Sequence, residues 1–172
     1  SMVDQNLIYR MSENPRGLCL IINYYDFSNY SEWNKEHQKR NGCDKDDGIF
    51  VDIFEELNFE NKIISPSDLM KKNVLEILDD NIFQNDDYSK WKEGHKTNIS
   101  KEKISQINHE AFVIIVSSHG TREGIYCSNR SEVTFQQIIN KINDYVVLKD
   151  KPKIILFNCC RRALTQHCIY YL

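Results

Sequence analysis

Three short apolar runs punctuate the chain: Leu18 to Asn23 (LCLIIN), Phe112 to Ser117 (FVIIVS) and Ile154 to Asn158 (IILFN). Each is too short for a helix and carries no alternation, which is the pattern of strands covered on both faces in a parallel sheet. Pro15 and Gly17 precede the first run and Pro152 precedes the third. Between the runs the period changes to that of helices. Ile49, Phe50, Ile53, Phe54 and Leu57 form one apolar face, with Asp44 or Asp47 as the expected N-cap. Ser65-Pro66-Ser67-Asp68 is a helix start with proline at the first position, followed by Met70, Val74, Ile77 and Leu78 on one face. Thr134 is placed to cap a third helix with Phe135, Ile138, Ile139 and Ile142 on its apolar side. Lys62 to Ile64 reads as a short strand, and the polar stretch from Asn85 to Gln106 as a long surface loop or a loosely held helix.

Alternating strands and helices predict an α/β domain, a three-layer α-β-α sandwich around a mostly parallel sheet. In such sheets the active groups gather beyond the C-terminal ends of the strands. Two of those ends carry reactive residues. The second run continues into Ser118-His119-Gly120, and the third into Cys159-Cys160-Arg161. A histidine and a cysteine at the ends of neighbouring strands can face each other as a thiol nucleophile and its proton partner. Glycine after the histidine adds a backbone N–H that a developing oxyanion can approach closely.

Composition narrows the function classes. The chain has 172 residues, 41% hydrophobic and 27% charged, with a formal net charge of −3. That suits one folded domain and excludes a disordered or rod-like chain. Lys and Arg are interspersed with Asp and Glu, which argues against nucleic acid or an anionic membrane as partner. No apolar run approaches the length of a membrane span, and no signal-peptide pattern opens the chain, so a cytoplasmic location is expected. The six cysteines sit inside apolar runs or side by side, an arrangement of reduced thiols rather than of a disulfide scaffold. Without paired ligand spacings, neither a metal nor another cofactor is expected.

Several motifs in order resemble the caspase family: Tyr9-Arg10-Met11, Pro15-Arg16-Gly17, Leu20-Ile21-Ile22-Asn23 with Phe27, Arg40-Asn41-Gly42-Cys43-Asp44, Ser118-His119-Gly120, Lys151-Pro152-Lys153-Ile154 and Cys160-Arg161. The resemblance implies that residues 1–172 correspond to the large subunit of a caspase catalytic domain. It implies Cys160 as nucleophile, His119 as the acid that protonates the leaving amine, and the N–H groups of Gly120 and Cys160 as oxyanion donors. Arg40 would grip the substrate aspartate, a task suited to a planar guanidinium. Asn158 stands where the family has a glutamine in the same pocket. A small subunit of the same precursor would complete the sheet and substrate pockets, with dimerisation as a homodimer or with another caspase. The segment Asn158-Cys159-Cys160-Arg161-Arg162 differs from the family pattern at three positions, with asparagine for glutamine, cysteine for alanine and arginine for glycine. Metacaspases fit less well, because an acidic residue precedes their cysteine. Two functions follow: a cysteine endopeptidase that cleaves after aspartate in a cell-death type pathway, or an impaired homologue that pairs with and regulates an active caspase.

Overall fold

The computed structural model describes Tyr9, residues 11–94 and 99–159, and the backbone of 168–171, the side chain of residue 44 aside. In chain order the elements are β1 (Gly17–Asn23), α1 (Cys43–Glu56), β2 (Phe59–Ile63), α2 (Pro66–Lys71), α3 (Val74–Asn81), α4 (Asn85–Lys92) and α5 (Lys101–Ser105). There follow β3 (Ala111–Ser117), β4 (Gly124–Tyr126), β5 (Glu132–Thr134), α6 (Phe135–Asp144), a 3-10 turn (Val146–Leu148), β6 (Lys153–Asn158) and β7 (Cys168–Tyr171). The main sheet has the order β2-β1-β3-β6-β7. Its first four strands are parallel, and β7 runs antiparallel to β6. This is the α/β architecture expected from the strand and helix pattern.

Alternate residues of the central strands feed two cores. Leu18, Leu20, Ile22, Phe112, Ile114 and Val116 face one side, where they pack with α3, α6 and the residues around them. Cys19, Ile21, Val113 and Ile115 face the other, against Phe54 of α1. Gly17 is required where β1 meets β3, since a Cβ there would overlap the carbonyl oxygen of Ala111. From β1 the chain moves outward to β2 and then returns to the opposite flank at β3. The strand order therefore reverses between β1 and β3, and the C-terminal ends there are the expected place for a site.

Three local expectations are corrected. The first helix begins at Cys43 with Gly42 as N-cap at φ 86°, and no side chain caps it. Asp47 lies inside the helix and accepts a bond from Asn23 Nδ2 at 2.9 Å. The predicted apolar stripe of that helix is only partly used: Phe54 is buried and Phe50 packs beside it, while Ile49, Ile53 and Leu57 stay exposed. The second predicted helix is two. Asn73 breaks it by capping α3, accepting from Leu75 N and Glu76 N while Glu76 returns a bond to the Asn73 N–H. Of the two readings of the polar stretch from residue 85, the helical one holds: it contains α4 and α5, the latter capped by Ser100. Asn85 ties the start of α4 to Asp144 O and Val146 N, both at 2.7 Å. The sheet edge beyond β6 carries β7 of this chain.

One buried histidine is left without hydrogen bonds to its surroundings. His109 is 3% exposed, and neither ring nitrogen makes a hydrogen bond to a described residue. Its Nε2 lies 3.5 Å from a Glu60 carboxylate oxygen without bonding to it. Burial, and secondarily the charge of Lys151, pushes its pKa down to about 4. The unfolded chain therefore takes up a proton near pH 6.5 that the native state declines until about pH 4, so His109 favours the native state above that window and loses this effect as pH falls through it. Urea unfolding at pH 7.5 and 4.5 should show that His109→Leu removes part of the acid loss of stability, up to about 3 kcal/mol. Identical pH slopes for the two proteins would show that His109 takes no part.

Candidate functional site

The β1–β3 ladder ends at the pair Asn23–Ser117, and the β3–β6 ladder at Ser117–Asn158. Two backbone bonds prolong these ladders, Tyr24 N to Ser117 O at 2.9 Å and Ser118 N to Asn158 O at 3.3 Å. The loop after β1, residue His119 after β3, and Asn158 at the end of β6 are thus held along one rim. Cys160 follows Asn158 by two positions and, with Arg161 and Arg162, lies outside the described residues. Arg10 of the N-terminal motif lies outside them too.

His119 is half-buried and sits in an aromatic cradle. Its ring centroid is 4.8 Å from Phe27 and 5.7 Å from Trp33, which meets it edge-on. Nε2 lies 2.9 Å from the backbone carbonyl of His37. A carbonyl only accepts, so Nε2 carries the hydrogen and Nδ1 is the nitrogen left to exchange protons. Burial holds the His119 pKa below the ordinary histidine value, the His37 carbonyl opposes that, and Arg40 adds to the lowering.

A hairpin fixes the segment after His119. Tyr126 N bonds to His119 O at 2.9 Å and Thr121 N to Gly124 O at 2.8 Å. Both ladder bonds come from the residues flanking Gly120, whose own N–H has no partner among the described residues. It is a donor in waiting for a negatively charged oxygen. Ser118 Oγ donates to Tyr126 O and closes the hairpin onto β3.

Arg40 enters from the loop between β1 and α1. Its Nη1 donates to Asn23 Oδ1 at 2.9 Å and to Tyr24 O at 2.8 Å. The guanidinium is therefore anchored along one edge, while Nη2 and Nε make no bond to a described residue. It lines a cavity of about 420 Å³ together with Tyr25, Lys39 and Asp47. A carboxylate entering there would meet a preorganised fork. Asn158 is turned elsewhere: its Nδ2 reaches Asp46 Oδ2 at 3.4 Å, at the edge of hydrogen bonding. Among the described residues no group of three histidine, cysteine or acidic side chains is placed to hold a metal. No described helix is long and apolar enough to cross a membrane.

The site depends on groups to which the sequence assigned no role, Asn23 of the Leu20–Asn23 motif among them. The His37 carbonyl orients the imidazole, Asn23 anchors Arg40, and Trp33 and Tyr126 wall the space beside His119. The spacing of Phe27, Tyr30 and Trp33 at three-residue intervals was a signal for the stacked rings. No signal in the sequence marks a backbone carbonyl as a partner.

A parallel sheet that holds a histidine and an arginine beyond its C-terminal rim defines an α/β domain with its candidate site at the strand ends. The family model of the caspase domain (Peptidase C14) matches residues 16–169, and the chain belongs to the caspase family. It is 30% identical over 164 residues to caspase-8 of Mus musculus, covering 92% of this chain and 30% of that protein. To caspase-3 of Bos taurus it is 28% identical over 155 residues, covering 89% and 46%. The chain thus spans less than half the length of either relative. The crystal structure of the Drosophila initiator caspase Dronc has the same fold, with a TM-score of 0.60, 21% identity, and coverage of 87% of this chain and 51% of that one.

The cradle accounts for the lowered His119 pKa, and that is open to test. Trp33→Ala admits water to the ring and should raise the pKa toward about 6.5, read from the His119 Cε1–H resonance in an NMR titration. An unchanged midpoint would show that Trp33 takes no part in the lowering.

Proposed function

We propose that this chain is the large-subunit part of a cysteine endopeptidase that cleaves after aspartate in a cell-death type proteolytic pathway, completed by a small subunit of the same precursor in a dimer. The observation that carries the reading is the orientation of His119 by the His37 carbonyl, at the rim where the chain runs from Asn158 into Cys160. In this mechanism the substrate aspartate docks on the free edge of Arg40. The Cys160 thiolate attacks the aspartyl carbonyl carbon, and the oxyanion that forms takes hydrogen bonds from the N–H groups of Gly120 and Cys160. As the C–N bond breaks, protonated His119 delivers its Nδ1 proton to the leaving amine. Water, deprotonated by the now neutral imidazole, then hydrolyses the thioester and restores the thiolate and imidazolium.

One observation favours a second reading, the catalytically impaired homologue that pairs with an active caspase. Asn158 spends its amide toward Asp46 instead of offering it to the substrate pocket, and Arg162 replaces a family glycine. Turnover of a fluorogenic aspartyl peptide by the complete protein separates the two. The peptidase reading expects turnover that Arg40→Ala lowers by at least about 30-fold, since the substrate carboxylate then loses its charged donor. Turnover that survives Arg40→Ala would place the aspartate elsewhere. An inert complete protein that changes the rate of an active caspase on mixing would establish the second reading.

A further inference from the structure

The carbonyl that orients His119 belongs to an exposed residue, yet its peptide is held from both sides. His37 O lies 2.9 Å from His119 Nε2, and the N–H of the same peptide, that of Gln38, donates to Asn34 O at 3.1 Å. In a planar trans peptide these two groups point in opposite directions, so the bond to Asn34 aims the carbonyl at the imidazole. Asn34 secures the preceding amide as well: His37 N donates to its backbone oxygen at 3.0 Å and to its Oδ1 at 2.9 Å. Such aim matters at an exposed position. Water competes there for the carbonyl, and a bond that water can replace contributes little unless the acceptor is already in place.

Gln38 ties this peptide into the loop. Its Nε2 donates to Tyr30 O at 3.1 Å and to Trp33 O at 3.0 Å, and its backbone oxygen accepts from Phe27 N at 2.8 Å. Both side-chain partners are carbonyls, so both amide hydrogens are engaged. The three residues it reaches are those of the cradle: Phe27 and Trp33 pack on the His119 ring, and Tyr30 stacks on Trp33 at 4.2 Å. One partly buried glutamine thus joins the wall of the cradle to the carbonyl that fixes the tautomer. We propose that Gln38 is a positioning residue for His119, which holds the His37 carbonyl against Nε2 and so keeps Nδ1 free to exchange protons. The proposal rests on the peptidase reading for the use made of that proton, though not for the placement itself. Gln38 touches neither the imidazole nor the free edge of Arg40, and it acts through the peptide it shares with His37.

The test compares the complete protein with its Gln38→Met variant, which keeps length and neutrality and removes both donors, using isotope-labelled histidine and NMR of the ring nitrogens. The wild type should show a single His119 tautomer with its hydrogen on Nε2, and the variant a mixture of the two. The His119 titration midpoint should fall in the variant, because the carbonyl that favours the protonated ring is withdrawn, while Arg40 and His37, whose charges also act on this ring, are the same in both proteins. A loop that is merely loosened admits water and moves the midpoint the other way. With an aspartyl peptide, kcat should drop about fivefold and KM stay within about twofold, as the loss of one oriented hydrogen bond implies. His109, at the opposite end of β3, reports in the same spectra on whether the fold is kept. An unchanged tautomer, a midpoint that stays or rises, an unaltered kcat in an active protein, or changes that His109 shares both here and in Gln38→Asn, would overturn the proposal. If the wild type itself cleaves no peptide, the peptidase reading fails by itself, and tautomer and midpoint still decide the role of Gln38.

Discussion

Everything at the candidate site hangs on the parallel pairing of β1, β3 and β6. Because parallel strands keep their direction, their C-terminal ends fall along one rim, and the register pins Asn23, Ser117 and Asn158 side by side. Segments far apart in sequence are thereby delivered to one place without contacts of their own to bring them there. The ladder is protected by burial on both faces, since every residue of β1 and β3 is buried. A polar side chain inside that stretch would cost more than the site could recover. The chemistry is accordingly displaced to the residues just beyond the strands.

The loop after β1 does the finer placing. It supplies the carbonyl that orients His119, the aromatic rings that dry one face of that imidazole, and the arginine that lines the adjoining cavity. Its own position is set from two directions. Asn23 and Tyr24 hold Arg40 at the strand end, and Tyr30 and Asn29 hold the loop to the hairpin after His119. The imidazole and the guanidinium are therefore both held by one fastened loop, which is the form of preorganisation that electrostatic catalysis requires.

The strands were legible in the sequence because continuous apolar runs of this length have few alternatives. His119 and Gly120 were legible for the same reason, since a strand's end is easily located once the strand is. Helix boundaries were harder. Asn73 ends one helix and starts another through local side-chain bonds, whereas the apolar spacing of Met70, Val74, Ile77 and Leu78 runs straight across the break. The α1 stripe misled in the opposite sense: five apolar positions share a face, but the sheet beneath covers only part of it. The pairing of β6 with β7 was out of reach, because four residues carry too little pattern to announce a strand or its direction. Asn158 was identified as a pocket residue by resemblance, but its bond to Asp46 depends on the approach of α1, which no local pattern encodes.

The central claim is that the rim assembled by β1, β3 and β6 forms a thiol site with Cys160 as nucleophile and His119 as its proton partner. The most direct measurement is peptide mapping by mass spectrometry after the complete protein meets an aspartyl halomethyl ketone, which alkylates a thiolate held next to a bound aspartate. The account predicts one adduct, on Cys160, strongly reduced in His119→Ala. Labelling that is confined to another of the six cysteines, or that is indifferent to His119, would contradict it.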